Sequence, residues 1–506
     1  MSAKASTTIR RLHLSALAPL LCCLAFGIPS VHAAGADWMV PDILEDPLLT
    51  RPPMLDTGGV LPGDSVPPVC PAHFDPAQPL ELANAVDTAL CDDPRVTAAW
   101  AAIKVQAASV GMARAAYLPM LTGSLTGQRN ETRYPSMQGY DSTVKGYSSY
   151  AALNWRLFDF GERAANRVAA NDMLAAALAS YNAQLQKTLG STAQAYFDAM
   201  TAQAAYEARV QAAQFAQWTL ESARRRELRG ATGRSDTLQA ATALARAQLV
   251  AQRARGDADR AMAILVYTTG LPAGTHITLP QDTPRPVKQD IADLAQWLSV
   301  ARLRHPAIIA AQEQLAAARE KITSVRSQGL PTIDFGVGFY QNGYPNQNVQ
   351  PTRSNTATIG VTLTIPLFEG FARTYKVREA QAQAEQGEAE MRDTEREILS
   401  EVVKAHADTV SSRDNLDAAA QLVVSAESAL ASSRNRYEHG AADILEMLNA
   451  QSALADAQLE RIRSESDWRS ARLRLMAGPG MLGRHEIVDT HASATVENGS
   501  ADPGPK

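Results

Sequence analysis

The residue types that most often do chemistry are spread through this chain without the spacing that chemistry needs. No pair of its nine histidines has the spacing that sets two imidazoles on one helix face for a metal. No G-x-x-x-x-G-K-[ST], H-E-x-x-H or G-x-S-x-G run is present either. The stretch "GVGFYQNG" contains G-x-G, but it lies in an alternating segment with no helix behind it, so it lacks the strand–loop–helix context that cradles a phosphate. His406 falls in a row of apolar helical positions and reads as a packing residue. The sequence points to no enzyme, no metal and no cofactor. Energy for any work must come from a partner.

Four cysteines occur, at 22, 23, 70 and 91. The first two lie in a leader. Arg10 and Arg11 precede a stretch from Leu12 to Ile28 without a charged residue, and Val31-His32-Ala33 offers a small residue, a spacer and a small residue, so residues 1–33 read as a secretory signal peptide. A membrane anchor would want about 20 cleanly apolar residues, and His13, Ser15 and Pro19 interrupt this run. A lipoprotein leader fits less well, because neither Cys22 nor Cys23 follows a small residue. Export leaves Cys70 and Cys91 in an oxidising compartment. They can pair there, closing a loop worth about 3 kcal/mol, or remain two separate thiols. Without Lys4, Arg10 and Arg11 the chain keeps 45 basic against 53 acidic residues, a charge of −8. An acidic chain without basic clusters excludes nucleic acid as a partner.

What the chain does have is internal repetition. "DDPRV" aligns with "RHPAI", so that Pro94 and Pro306 are 212 apart, and "AAYLPMLTGSLTG" aligns with "SQGLPTIDFGVGF", with Pro119 and Pro331 again 212 apart. "LNWRLFDFGERAANR" matches "LTIPLFEGFARTYKV", and "RELRGATGRSDTLQA" matches "RYEHGAADILEMLNA". At these two landmarks Phe158 to Phe368 and Gly230 to Gly440 are both 210 apart. Four landmarks in one order make two copies of one unit. The domains follow: a signal peptide at 1–33, a proline-rich extended segment at 34–80, repeat one at 81–290, repeat two at 291–483, and a disordered polar tail at 484–506.

Each unit parses the same way. A helix from about Leu82 to Ala116 leads into "PMLTGSLTGQ", where Leu121 and Leu125 alternate with Thr and Ser. A polar loop at 132–146 follows, and then "SYAALNWRLF" sets Leu153, Trp155 and Leu157 on one face against Asn154 and Arg156. Unit two repeats this with Ile333, Phe335, Val337 and Phe339 against Asp334, a loop, and Val361, Leu363, Ile365 and Leu367. Proline-free helical stretches then run from Glu162 to Arg229 and from Ala372 to His439, each a rod of about 100 Å. Their narrow seams (Leu174, Leu178, Tyr181, Leu185, Tyr196 and Met200; Leu399, Val402, His406, Val410, Leu416, Ala420 and Val423) indicate coiled-coil packing. Gly230 and Gly440 mark hairpin turns, after which a second helix runs back.

Four strands of about ten residues match the tilted span of an outer-membrane barrel. A bilayer tolerates no open sheet edge, and four strands cannot close, so several chains must share one barrel: eight strands from a dimer would be filled by their own side chains, and twelve from a trimer could enclose a pore. The expected class is an α+β membrane protein, with four strands per chain in a barrel shared among chains and long coiled-coil hairpins attached to it.

The "YLP" and "GLP" strand starts, the "LFDFG" and "LFEGF" strand ends and the turns at Gly230 and Gly440 resemble the TolC family of outer-membrane channel proteins over residues 80 to 480. The extended N-terminal segment and "AWAAIKVQAASVG" resemble its CyaE type. The resemblance implies a homotrimer in the outer membrane of a Gram-negative bacterium, extending into the periplasm: a trimeric 12-stranded β-barrel, four strands per chain, continuous with a long periplasmic α-helical barrel of coiled-coil hairpins. Its partners would be a periplasmic adaptor (membrane fusion protein), an inner-membrane ABC transporter, outer-membrane lipid, and an exported protein or small molecule. The function implied is the exit duct of type I secretion of a protein toxin. The alternative is the outer-membrane component of a multidrug efflux pump. A periplasmic coiled-coil adaptor fits less well, since it would carry one hairpin and no repeated strand–loop–strand.

The resemblance also carries a gate. In the family, links among a Tyr, an Arg and an Asp near the hairpin turns hold the periplasmic entrance closed, with acidic rings beyond. The Asp falls on Asp236 and the Tyr on Tyr437, while the Arg position holds Ala442; Arg234 is a substitute by spacing. The ring positions hold Glu446 and Asn449. Without an arginine at 442, Glu446 is expected to form an unopposed acidic ring. Asp236 is equally readable as a helix cap.

Overall fold

The computed structural model describes residues 78–133, 142–280, 291–342 and 354–480, together with residues 48, 135, 482 and 483. The leader, nearly all of the 34–80 segment including Cys70, and the tail from 484 lie outside the described residues. In chain order the elements are α1 Leu82–Asp92, α2 Pro94–Ala115, β1 Met120–Thr132, β2 Ser142–Phe158, α3 Glu162–Leu228 and α4 Arg234–Thr268. Then come α5 Leu294–Arg304, α6 Pro306–Ser327, β3 Thr332–Asn342, β4 Ser354–Thr364, α7 Ala372–Glu438 and α8 Ile444–Ala477.

The single helix expected from Leu82 to Ala116 is two helices. Pro94 pushes the residue before it out of helical conformation, and Asp93 takes φ −68° and ψ 119°. Its carboxylate then accepts the Arg95 N–H at 2.7 Å and caps α2, with Pro94 at the first helical position, where its missing donor costs nothing. His305 does the same for α6. It is extended before Pro306, and its Nδ1 accepts the Ala307 N–H at 3.2 Å.

The strands form one antiparallel sheet in the order β1-β2-β3-β4. Its register sets Leu121, Leu153, Val337 and Ile359 in one cross-strand row, and Trp155, Phe335 and Val361 in another. The intervening rows carry Met120, Asn154, Gly336 and Gly360, then Arg156, Asp334 and Thr362. Asn154, Arg156 and Asp334 thus share the polar face, as expected, and Arg156 Nε meets Asp334 Oδ1 at 3.1 Å. The apolar face is bare: Leu121 is 75% and Ile359 76% exposed. β1 and β2 run to 13 and 17 residues, longer than the expected ten. β4 stops at Thr364, so Ile365 and Leu367 leave the sheet around Pro366, which cannot donate to a ladder.

Two junctions join sheet to helix. Phe160 (φ 51°) and Gly161 (φ 101°) follow β2, and Gly370 (φ 59°) and Phe371 (φ 66°) follow β4. Each junction therefore makes two successive left-handed steps, one on glycine and one on phenylalanine, in opposite order. Glycine adopts this conformation freely, whereas a phenylalanine held there costs about 1–2 kcal/mol.

The helices α3 and α7 have 67 residues each. α3 packs against α2, α4, α6 and α8, while α7 packs against α6 and α8. The large-residue core gathers around the middle of α3, where Leu185, Leu189 and Tyr196 meet Leu82 and Val86 of α1, Leu265 of α4 and Leu473 of α8. Elsewhere small residues fill the seams, among them Ala216, Ala223, Ala240, Ala251 and Ala258. In α7, Val402 and Val423 are buried as expected, but Ala419 rather than Ala420 turns inward. No helix among the described residues is long and apolar enough to cross a membrane.

Candidate functional site

The two hairpin turns have one geometry. Gly230 and Gly440 sit at φ 72° and 76°. The Gly230 N–H donates to Glu227 O and the Ala231 N–H to Arg226 O, both at 2.9 Å; Gly440 and Ala441 do the same to Tyr437 O and Arg436 O at 3.1 and 2.8 Å. This paired pattern satisfies the last helical carbonyls and needs a left-handed residue at the glycine. The helices that follow start differently. Asp443 caps α8, its carboxylate accepting the Glu446 N–H at 2.8 Å. The matching residue before α4 is Gly233, which has no side chain to offer. Asp236 is therefore not the cap that the sequence allowed. It sits in the first turn of α4, where an acid complements the helix dipole.

Tyr437 lies at the centre of the tip. It is 4% exposed and packs with Leu220 and Ala223 of α3, Ala240 of α4 and Ile444 and Met447 of α8. Its hydroxyl is buried and finds no hydrogen-bond partner among the described residues. Burial raises the phenol above its ordinary pKa, Arg226 opposes that shift, and Asp236 adds to it. The Arg226 guanidinium stands 4.6 Å from the Tyr437 ring centre. It also donates to Tyr437 O at 2.9 Å and to Glu438 O at 3.3 Å. A cation at the end of α7 meets both its carbonyls and its dipole. A second link from α7 to α3 is Arg434 over Trp218, at 4.5 Å.

Glu446 is not the unopposed acid that the sequence suggested. Arg436 Nη1 pairs with its Oε1 at 2.9 Å, and Ser433 Oγ donates to the same oxygen at 3.4 Å. Both partners of the pair are more than a third exposed, so it contributes little stability, ~0–1 kcal/mol, yet it does place a positive charge on the carboxylate. Asn449 lies elsewhere, in a groove of about 730 Å³ between the hairpins that Leu238, Leu445 and Leu448 also line. Arg209 and Asp456 bridge across that groove at 3.1 Å.

Arg234 is exposed and, like Asp236, forms no ion pair with a described residue of its own chain. The arginines that the structure brings to the tip are Arg226 and Arg436, which the sequence reading missed. They were findable: each stands four residues before its turn glycine, in "RELRG" and "RYEHG". Cys91 is disulfide-bonded; Cys70 lies outside the described residues.

Comparison with known proteins fits this geometry. The sequence model of the outer membrane efflux protein family matches residues 85–271 and 297–480. Protein CyaE of Bordetella pertussis is 35% identical over 439 residues, 87% of this chain and 91% of that one. Alkaline protease secretion protein AprF of Pseudomonas aeruginosa is 27% identical over 420 residues, 81% and 86% of the two chains. Among solved structures, the Campylobacter jejuni CmeC outer membrane channel shares the fold, with a TM-score of 0.71 at 17% identity over 92% of this chain and 98% of that one. The chain belongs to the outer membrane efflux protein family, and its place is the outer membrane, extending into the periplasm.

Proposed function

We propose that this member of the outer membrane efflux protein family is the exit duct of a type I secretion system, passing an unfolded protein toxin from an inner-membrane ABC transporter to the outside. The reading takes the chain as two copies of one unit, 81–290 and 291–483, behind a leader at 1–33 and an extended segment at 34–80, with a free tail at 484–506. Three chains close a 12-stranded barrel above a periplasmic tube of hairpins. One observation carries it: a sheet bare on its apolar face whose outer strands, β1 and β4, each have an edge without a partner among the described residues. Unpaired backbone groups in lipid cost several kcal/mol each, and copies of the same sheet remove them. The secretion reading draws on the likeness to CyaE and to AprF, whose name gives alkaline protease secretion.

In this reading the tip around Tyr437 closes the periplasmic entrance, with Asp236, Arg234 and Glu446 turned toward other copies, and an adaptor docks along the groove between the hairpins. Cys70 is the partner we assign to Cys91. The second reading, drug efflux, draws on outer membrane efflux protein BepC of Brucella suis, 24% identical over 415 residues. Expression in a host lacking its own duct, beside a type I ABC transporter and adaptor or beside a proton-driven pump, separates the two. Toxin in the medium supports secretion; restored drug resistance without secreted protein overturns it. A monodisperse monomer with full β-structure in detergent would overturn both.

A further inference from the structure

We propose that the second strand-to-helix junction holds an oxyanion, a phosphate or carboxylate group, between Arg373 and Lys376 of α7. The inference rests on geometry within one chain. It does not depend on what is exported.

The two junctions are copies of one another, and the first shows what its arginine needs. Arg163, in the first turn of α3, donates from Nε to Asp159 Oδ2 at 2.6 Å. Its two Nη atoms donate to the carbonyls of Ala116, Arg156 and Leu157. Its guanidinium also lies 4.7 Å from the Tyr117 ring centre. In the second copy Arg373 holds the place of Arg163, and Glu369 that of Asp159. Here the carboxylate stands off at 3.7 Å, and the buried Arg373 Nε has no hydrogen-bond partner among the described residues. A buried charged donor left unpaired is costly, and a planar guanidinium takes an oxyanion through two parallel bonds.

Three exchanges between the copies open space and add positive charge around Arg373. Where the first copy has Tyr117, the second has Gly329, and a Cβ at Gly329 would fall on the Arg373 side chain. Where the first has Glu162, the second has Ala372, so α7 carries no acid in its first turn. Where the first has Asn166, the second has Lys376, which is exposed and forms no ion pair with a described residue. The result is a cavity of about 360 Å³ lined by Arg156, Glu162, Glu369, Arg373 and Lys376. Arg156 is held by Asp334 at 3.1 Å and by Glu162 at 3.7 Å, which leaves Glu369 alone to face two cations. Thr332 and Thr364 form another wall; they pair across the sheet on the polar face that carries Arg156 and Asp334. The cavity therefore lies on the polar side of the sheet, and its ligand comes from water.

The test follows melting of the detergent-extracted full chain in phosphate, in acetate and in chloride at matched ionic strength. Millimolar phosphate or acetate should raise the melting temperature of wild type saturably, by several degrees over chloride. The larger of the two rises identifies the anion as phosphate or carboxylate. Arg373→Gln should lose the rise, and Lys376→Gln should need several-fold more anion to reach it. Gly329→Tyr, which gives the second copy the ring of the first, should lose it as well. Arg378→Gln removes a cation of the same helix outside the cavity and should keep it. No rise in wild type overturns the proposal. A rise of equal size in Arg373→Gln and Gly329→Tyr also overturns it, because general exclusion of the salt from the protein surface would then explain the effect. Dissociation of the oligomer by Arg373→Gln, without dependence on anion, would overturn it by giving the guanidinium a partner in another copy. Secretion and resistance assays read the duct separately.

Discussion

Arg226 clasps the two hairpins of one chain together by laying its guanidinium over the Tyr437 ring and donating to the Tyr437 carbonyl. Neither its Nε nor the Tyr437 hydroxyl has a described hydrogen-bond partner, although both are buried. The clasp thus joins α3 to the end of α7 through a charged donor, an aromatic face and a helix terminus. A hydrogen bond from a charged group contributes ~1.5–3 kcal/mol. Arg226→Ala should therefore loosen the tip and raise single-channel conductance in planar bilayers. Arg234→Ala should do so less. Equal conductance of Arg226→Ala and wild type would remove the clasp from the closing machinery.

If the tip is the periplasmic entrance, as proposed, the Arg436–Glu446 pair sets how that entrance treats cations. With the carboxylate paired, a trivalent cation added on the periplasmic side should block wild type only weakly. Arg436→Gln should strengthen the block, and Glu446→Gln should abolish it in either background. Measurement at matched low ionic strength keeps screening from hiding the difference. Block of equal strength in all three proteins would take Glu446 out of the bore.

The turn glycines should be costly to replace. Gly230→Ala or Gly440→Ala forces a Cβ into the left-handed region at about 1 kcal/mol, although each site has open space around the added carbon. The loss should appear as a lower melting temperature for each variant, and the double variant should depart from additivity, because Arg226, whose carbonyl accepts in the first turn, donates to the Tyr437 carbonyl of the second. A melting temperature unchanged in both would mean that the turns relax.

Acid should weaken the chain at His305. Burial lowers this imidazole from 6.5 to about 4, and as the cap of α6 it must stay neutral to accept the Ala307 N–H. The unfolded chain takes up the proton first, so the stability present above pH 6.5 is lost as pH falls toward 4. Lys187, Glu401, Lys404, Asp408 and Arg474 line the same cavity and are of mixed sign. His305→Asn keeps a cap without a titrating ring, and its melting temperature should fall less than that of wild type between pH 7 and pH 4.5. Parallel curves would assign the acid sensitivity elsewhere.

Much of this fold is readable from residue spacing, and the reasons differ by element. The polar face of Asn154, Arg156 and Asp334 follows from a period of two, which leaves no freedom once the strand is recognised. The ends of α3 and α7 follow from Gly230 and Gly440, because a helix cannot pass a left-handed residue. Alanine seams are less legible: Ala419 and Ala420 are chemically alike, so periodicity alone does not select the one that turns inward. The break at Asp93 hangs on one proline inside an otherwise continuous helical pattern. The partner of Arg226 depends on how far apart the hairpins stand, which no single stretch of sequence encodes, whereas Arg436 meets Glu446 within its own hairpin, across the Gly440 turn.

The unequal starts of α4 and α8 give the tip a direction of give. Asp443 ties down the Glu446 amide in the first turn of α8, while Gly233 offers the first turn of α4 no side-chain cap. Two arms of nearly equal length, 35 and 34 residues, therefore differ in stiffness at the same end. A load applied to the tip should be taken up by fraying the first turn of α4 before α8 yields. The hairpin pair acts as a rigid post beside a compliant one, and amides 235 to 238 should exchange with solvent ahead of 445 to 448.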